Sequence, residues 1–149
     1  MNEGLRELYQ EVIIDHNENP HNHYLMEDAN AKAQGVNPLC GDKLTVYLKI
    51  KHNRIDAISF LGRGCAISQA SASLMTEAMQ GKTKEEAHQL FEKFHTMLTQ
   101  ETEIIPTSLG KLQVLAGVKA FPVRVKCATL AWHTFEAALN KSVFTVSTE

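Results

Sequence analysis

Asn37-Pro38-Leu39-Cys40-Gly41-Asp42, running on into Lys43-Leu44-Thr45-Val46-Tyr47-Leu48-Lys49-Ile50-Lys51, joins a chemically loaded turn to a strand. In its second part Leu44, Val46, Leu48 and Ile50 alternate with polar or amphipathic residues, the period-two pattern of a half-buried strand. A turn at His52-Asn53-Arg54 and a second run from Ile55 to Leu61 follow, so the two runs are predicted to pair as an antiparallel hairpin. Its outer ends decide the rest. Cys40 and Asp42 precede the first strand and Cys65 follows the second, so closing the hairpin carries all three to one end. In the turn, Pro38 fixes one φ angle and Gly41 permits a conformation other residues resist, which lets Cys40 and Asp42 point to one side. A lone cysteine beside such a turn usually behaves as a small buried hydrophobe. The remaining cysteines change that reading.

They are Cys65, in Gly62-Arg63-Gly64-Cys65-Ala66-Ile67-Ser68, and Cys127, in Arg124-Val125-Lys126-Cys127-Ala128, each near the start of a predicted helix. Backbone N–H groups and the positive dipole end at a helix start favour the thiolate, the form that binds metal and attacks sulfur. Three thiols and one carboxylate make a complete tetrahedral set, and zinc accepts both donor types, with Zn–S distances of roughly 2.3 Å. An iron–sulfur cluster can use the same set. A hard oxygen among soft thiolates holds either guest less firmly than a fourth cysteine would.

The 149 residues, 44% of them hydrophobic, suffice for one proper core, so a single domain over residues 1–149 is expected. A formal net charge of -2 with no lysine-arginine run argues against nucleic acid or an anionic membrane as partner. No apolar span reaches membrane length, and the N-terminus opens on an amphipathic pattern, so a soluble cytoplasmic protein is expected. Three cysteines, an odd number at long separations, suit metal binding or thiol chemistry in a reducing compartment better than a disulfide framework.

Leu5, Leu8, Val12 and Ile13 predict a first helix from about Glu3 to about Asp15, ended by Asn17 to Asn22 with Pro20. His16, His21 and His23 match neither a zinc finger nor two ligands on one helical face, and are read as solvated loop histidines. Residues Ala29 to Val36 allow a short edge strand. A helix from about Cys65 to Met79, rich in Ala and Ser on one side for close packing against the sheet, stops before Gly81. Thr83-Lys84-Glu85-Glu86 has the form of a capping box opening a helix with a Leu90, Phe91, Phe94, Leu98 stripe. Glu101 to Ser108 reads as a polar connection and Leu109 to Val118 as a short helix. Pro122 suits the first turn of a last helix ending near Asn140, and the tail after Ser142 is expected to be loosely held.

Four pieces together resemble the small scaffold proteins of iron–sulfur cluster assembly, IscU and the N-terminal domain of NifU, and most closely their SufU branch. They are Asn37 to Asp42; Gly62 to Ser68 with Ser71 and Ser73; Arg124 to Leu130; and the opening Leu8-Tyr9, Asp15-His16 and Asn19-Pro20. The resemblance implies an α+β fold, a small antiparallel sheet of about three strands packed by helices. It implies zinc held by Cys40, Asp42, Cys65 and Cys127, and sulfur taken as persulfide from a PLP-dependent, SufS-like cysteine desulfurase for downstream iron–sulfur assembly machinery. The alternatives are a scaffold assembling a transient [2Fe-2S] cluster on the same ligands, and a purely structural zinc module.

Two departures from the scaffolds proper favour the sulfur-acceptor branch. Lys126, not histidine, precedes Cys127, and Ala120-Phe121-Pro122-Val123-Arg124 stands where a Leu-Pro-Pro-Val-Lys motif recruits a chaperone. On this reading Cys40, on its glycine loop, is the acceptor, released when the desulfurase supplies a substitute ligand. Cys65 and Cys127 are the anchors. Arg124, one helical turn before Cys127, stabilises a persulfide anion or docks the partner, or is simply a solvated helix-terminal arginine.

Overall fold

His52 and Asn53 both take positive φ, 52° and 63°, the left-handed pair that closes a two-residue hairpin in the hand matching strand twist. The computed structural model describes residues 3–100, 107–140 and 146–147. In it three strands, β1 (Ala31–Asn37), β2 (Asp42–Lys51) and β3 (Arg54–Arg63), run antiparallel to their neighbours. The β2–β3 register sets Val46 opposite Phe60 and Leu48 opposite Ile58, all fully buried, as the alternation requires. A two-residue β4 (Val146–Ser147) adds in parallel beside Gly35 and Val36, giving the order β3-β2-β1-β4.

Two expectations change here. The stretch read as an edge strand is β1, paired on both sides, and the tail is tied down at Val146 and Ser147. The signal for β1 was faint because its buried positions are Ala31, Ala33, Gly35 and Asn37, small or polar. They are small for a reason: a Cβ at Gly35 would lie 2.0 Å from Thr134 Oγ1 and 3.1 Å from Leu130 Cδ1. The helix carrying those residues rests directly on the strand.

The helices are α1 (Glu3–Glu18), α2 (Ala66–Met79), α3 (Lys84–Thr99) and α4 (Pro122–Leu139). Thr83 and Glu86 close the capping box reciprocally, at 3.1 and 3.0 Å. Leu90, Phe94 and Leu98 are buried; Phe91 is only partly so. Pro122 opens α4 as expected. Helix α2 packs against α1 and α4 more than against the sheet. Ser71 Oγ donates to Ala128 O at 2.5 Å and accepts from Trp132 Nε1 at 3.0 Å, binding α2 to α4.

The short helix expected at Leu109 to Val118 is a 3₁₀ segment, Thr107–Ala120, broken at Gly110 (φ 54, ψ −128). It lays Leu109, Leu112, Leu115 and Val118 into the core. Of the polar connection, residues 101–106 lie outside the described residues.

The histidine reading also needs correction. Helix α1 continues past Asp15, which takes His16 out of the loop and buries it at 3% exposure, with Nδ1 2.7 Å from Ser73 Oγ. Among the described residues, no helix is long and apolar enough to cross a membrane.

Candidate functional site

The last pairs of the two hairpins, Asn37 with Asp42 and Lys43 with Arg63, place the Pro38-to-Gly41 turn and the start of α2 at one end of the sheet. Gly41 has φ 70, and the Cys40 N–H closes the turn on Asn37 O at 3.2 Å. Cys40 is thereby half-buried, and its neighbour Leu39 is 60% exposed.

Asp42, at 2% exposure, is held from two sides. Its Oδ1 accepts the Cys65 N–H at 2.8 Å and its Oδ2 accepts Asn37 Nδ2 at 3.4 Å. The approach at Cys65 depends on Gly64, where a Cβ would sit 2.5 Å from Asp42 Oδ1. Gly64→Ala is therefore expected to displace the carboxylate and break the Cys65 contact. Affinity for a metal ion at this site should weaken about 10- to 100-fold, the usual effect of disturbing groups that orient a ligand. A competition titration against a chromophoric chelator measures it; unchanged affinity would remove Asp42 from the site.

Cys65 is the N-cap of α2, with its Sγ accepting the Ser68 N–H at 3.4 Å, as a thiol at a helix start is expected to do. Cys127 is different. It lies in the second turn of α4, behind that helix's free N–H groups, and is 2% exposed. Its thiol donates to Cys40 Sγ at 3.2 Å, and Asn37 Nδ2 lies 3.6 Å from Cys127 Sγ. Burial, then hydrogen bonds with Cys40 and Cys65, push the Cys127 pKa far up. Burial and these neighbours thus oppose, at this residue, the helix-start activation expected from the sequence, and a bound cation would offset them.

The ligand atoms of Cys40, Asp42 and Cys127 lie within 4.8 Å of one another. Cys65 reaches this group through its backbone N–H on Asp42 and through its thiol on Cys127, while its Sγ also caps the opening of α2 and falls outside the closest trio. The donors fit a thiophilic metal, two soft thiols and a hard carboxylate with a third thiol alongside. Asn37 is the residue sequence reasoning passed over. It is fully buried, its Nδ2 faces both Asp42 and Cys127, and among the described residues its Oδ1 has no partner. An unsatisfied buried acceptor in such a wall is a mark of a site built for a guest. A polar residue at a buried strand position was the available signal.

Arg124 is exposed in the first turn of α4, its guanidinium 4.5 Å above the Phe121 ring. That stacking sets it beside exposed Phe121 and Val123 on the opening turn of α4.

The NifU-like N terminal domain model matches residues 8–141. The chain is 41% identical over 138 residues to an iron–sulfur cluster assembly scaffold protein IscU of Streptococcus pyogenes, covering 93% of this chain and 86% of that one. It is 38% identical over 140 residues to the zinc-dependent sulfurtransferase SufU of Bacillus subtilis, covering 94% and 95%. Among solved structures, a candidate SUF-system scaffold from Fervidobacterium islandicum superposes with TM-score 0.82 at 37% identity, covering 90% of this chain and 98% of that one.

Proposed function

The chain belongs to the NifU-like N-terminal domain family, and on that premise we propose that it serves iron–sulfur cluster assembly as a zinc-dependent sulfur acceptor. Its donor is the persulfide of a cysteine desulfurase, its setting the reducing cytoplasm, and its product is passed to downstream assembly machinery. The observation that carries this reading is the unequal placement of the ligands. Asp42 and Cys127 are buried at 2% exposure each and Cys65, though half-buried, is fixed as the N-cap of α2, whereas half-buried Cys40 sits on a glycine turn. One thiol can reach out; the others hold.

Cys40, Asp42 and Cys127 would hold zinc, with Cys65, bonded to Asp42 through its backbone, completing the set. Bound zinc supplies positive charge that keeps the thiols deprotonated in a dry setting. The transfer itself belongs to Cys40. Its thiolate attacks the outer sulfur of the desulfurase persulfide, a new S–S bond forms on Cys40 as the donor S–S bond breaks, and the desulfurase cysteine leaves as thiolate. No net oxidation occurs. Leu39 beside Cys40, with Phe121, Val123 and Arg124 on the opening turn of α4, offers an apolar surface with one cation for the partner to cover. There Arg124 can also pair with the persulfide anion.

The relatives named IscU and SufU have nearly equal identity to this chain, so the choice between scaffold and acceptor falls on chemistry. Lys126, half-buried before Cys127, offers a cation where a histidine would offer an alternative nitrogen ligand. Desulfurase turnover measured with and without the protein is the test. The zinc-loaded form is expected to raise turnover at least several-fold and the metal-free form to raise it little. Anaerobic reconstitution is expected to leave little stable [2Fe-2S]; a defined cluster transferable to an apo-protein would establish the scaffold instead.

A further inference from the structure

Where α1 meets α2, His16, His21 and Glu77 present two ring nitrogens and a carboxylate oxygen within 4.8 Å of one another. His21 Nδ1 pairs with Glu77 Oε1, and the two imidazole rings have centroids 4.5 Å apart. Ser73 fixes both histidines: its hydroxyl stands 2.7 Å from His16 Nδ1 and accepts the His21 backbone N–H at 2.8 Å. Lys111 approaches the other oxygen, Glu77 Oε2, at 3.7 Å, which leaves Oε1 to the histidines.

An ordinary histidine–glutamate ion pair accounts for His21 and not for His16. His16 Nε2 is 3.9 Å from Glu77 Oε1, too far for a hydrogen bond. In the tautomer whose Nδ1 proton goes to Ser73, His16 turns its Nε2 lone pair toward the carboxylate, and a cation between the two satisfies both. Two ligands each about 2.1 Å from an ion stand up to about 4 Å apart, a span that takes in the observed separation. Burial lowers the His16 pKa below its ordinary 6.5, which keeps the ring in its ligating form near neutrality. His21 and Glu77 have side-chain exposures of 46% and 27%, giving an ion a way in and leaving room for water.

We propose that His16, His21 and Glu77 form a second metal site, which takes one divalent ion of the zinc class and clasps the end of α1 and the following turn onto α2. The two-histidine, one-carboxylate set with water in the remaining position is a donor combination such ions favour. This site is separate from the cysteines. At a rise of roughly 1.5 Å per residue, Glu77 lies about 18 Å along α2 from Cys65.

Cobalt(II) titration of the metal-free full-length protein is the test, because thiolate-bound cobalt gives intense charge-transfer absorption that imidazole and carboxylate ligation does not. The partly exposed side chains of His21 and Glu77 make His21→Ala and Glu77→Gln suitable variants. Each is expected to bind one equivalent of cobalt fewer than the wild type, with the charge-transfer absorption unchanged. Either variant binding as much cobalt as the wild type overturns the site. The charge-transfer band reports separately on the cysteine ligands, so a failure there leaves this count readable.

Discussion

Cys40→Ser is expected to leave a folded protein that no longer accepts sulfur, with desulfurase stimulation falling roughly a hundredfold or more, to background, as removal of the nucleophile itself requires. The fold should survive because Cys40 is a half-buried residue of a turn whose closure is made by backbone, its N–H on Asn37 O at 3.2 Å. Zinc should remain, more weakly held, since Asp42 and Cys127 keep their positions and Cys65 stays bonded to Asp42. Turnover assays and mass-spectrometric mapping of the added sulfur after alkylation check the result together. Sulfur found on Cys65 or Cys127, with Cys40→Ser still active, would defeat both the acceptor assignment and the argument from the placement of Cys40 on its turn.

Trp132→Ala is expected to destabilise the protein by about 3–5 kcal/mol, the range for removing a buried large aromatic. Against a typical total of roughly 5–15 kcal/mol this approaches loss of the fold. Trp132 is fully buried, stacks on Phe94 with ring centroids 4.0 Å apart and 13° between planes, and donates its indole N–H to Ser71. Trp132→Phe should retain much of the stack and lose the indole bond, costing on the order of 1 kcal/mol from the hydrogen bond. Urea unfolding midpoints of the two variants measure the difference. Because Ser71 and Trp132 join α2 to α4, the helices that position Cys65 and Cys127, the phenylalanine variant should also bind zinc less tightly at unchanged ligand identity. A wild-type midpoint for Trp132→Ala would show that this junction does not hold the helix pair.

The elements legible in sequence were those written in local patterns. Alternation from Leu44 to Ile50 read as β2, Thr83 with Glu86 as the start of α3, and Pro122 as the start of α4. Strand β1 was nearly silent, since a strand under α4 must use Ala33 and Gly35 where a stronger signal would use branched residues. Gly110 interrupts the Thr107–Ala120 segment, while its apolar residues still read as helical. His16 was misread because its partners, Ser73 and Glu77, belong to a helix far away in the chain.

By itself the sequence determined which donors exist and that a hairpin would carry Cys40, Asp42 and Cys65 to one end, because strand period and turn chemistry act between near neighbours. Only the tertiary structure decided how those donors behave. Burial raises the Cys127 pKa despite its place near a helix start, the Cys65 N–H and the gap at Gly64 aim Asp42, and α2 delivers Glu77 to one histidine at the end of α1 and another in the turn after it. Desolvation and close approach depend on what other parts of the chain exclude or supply, which no local pattern records.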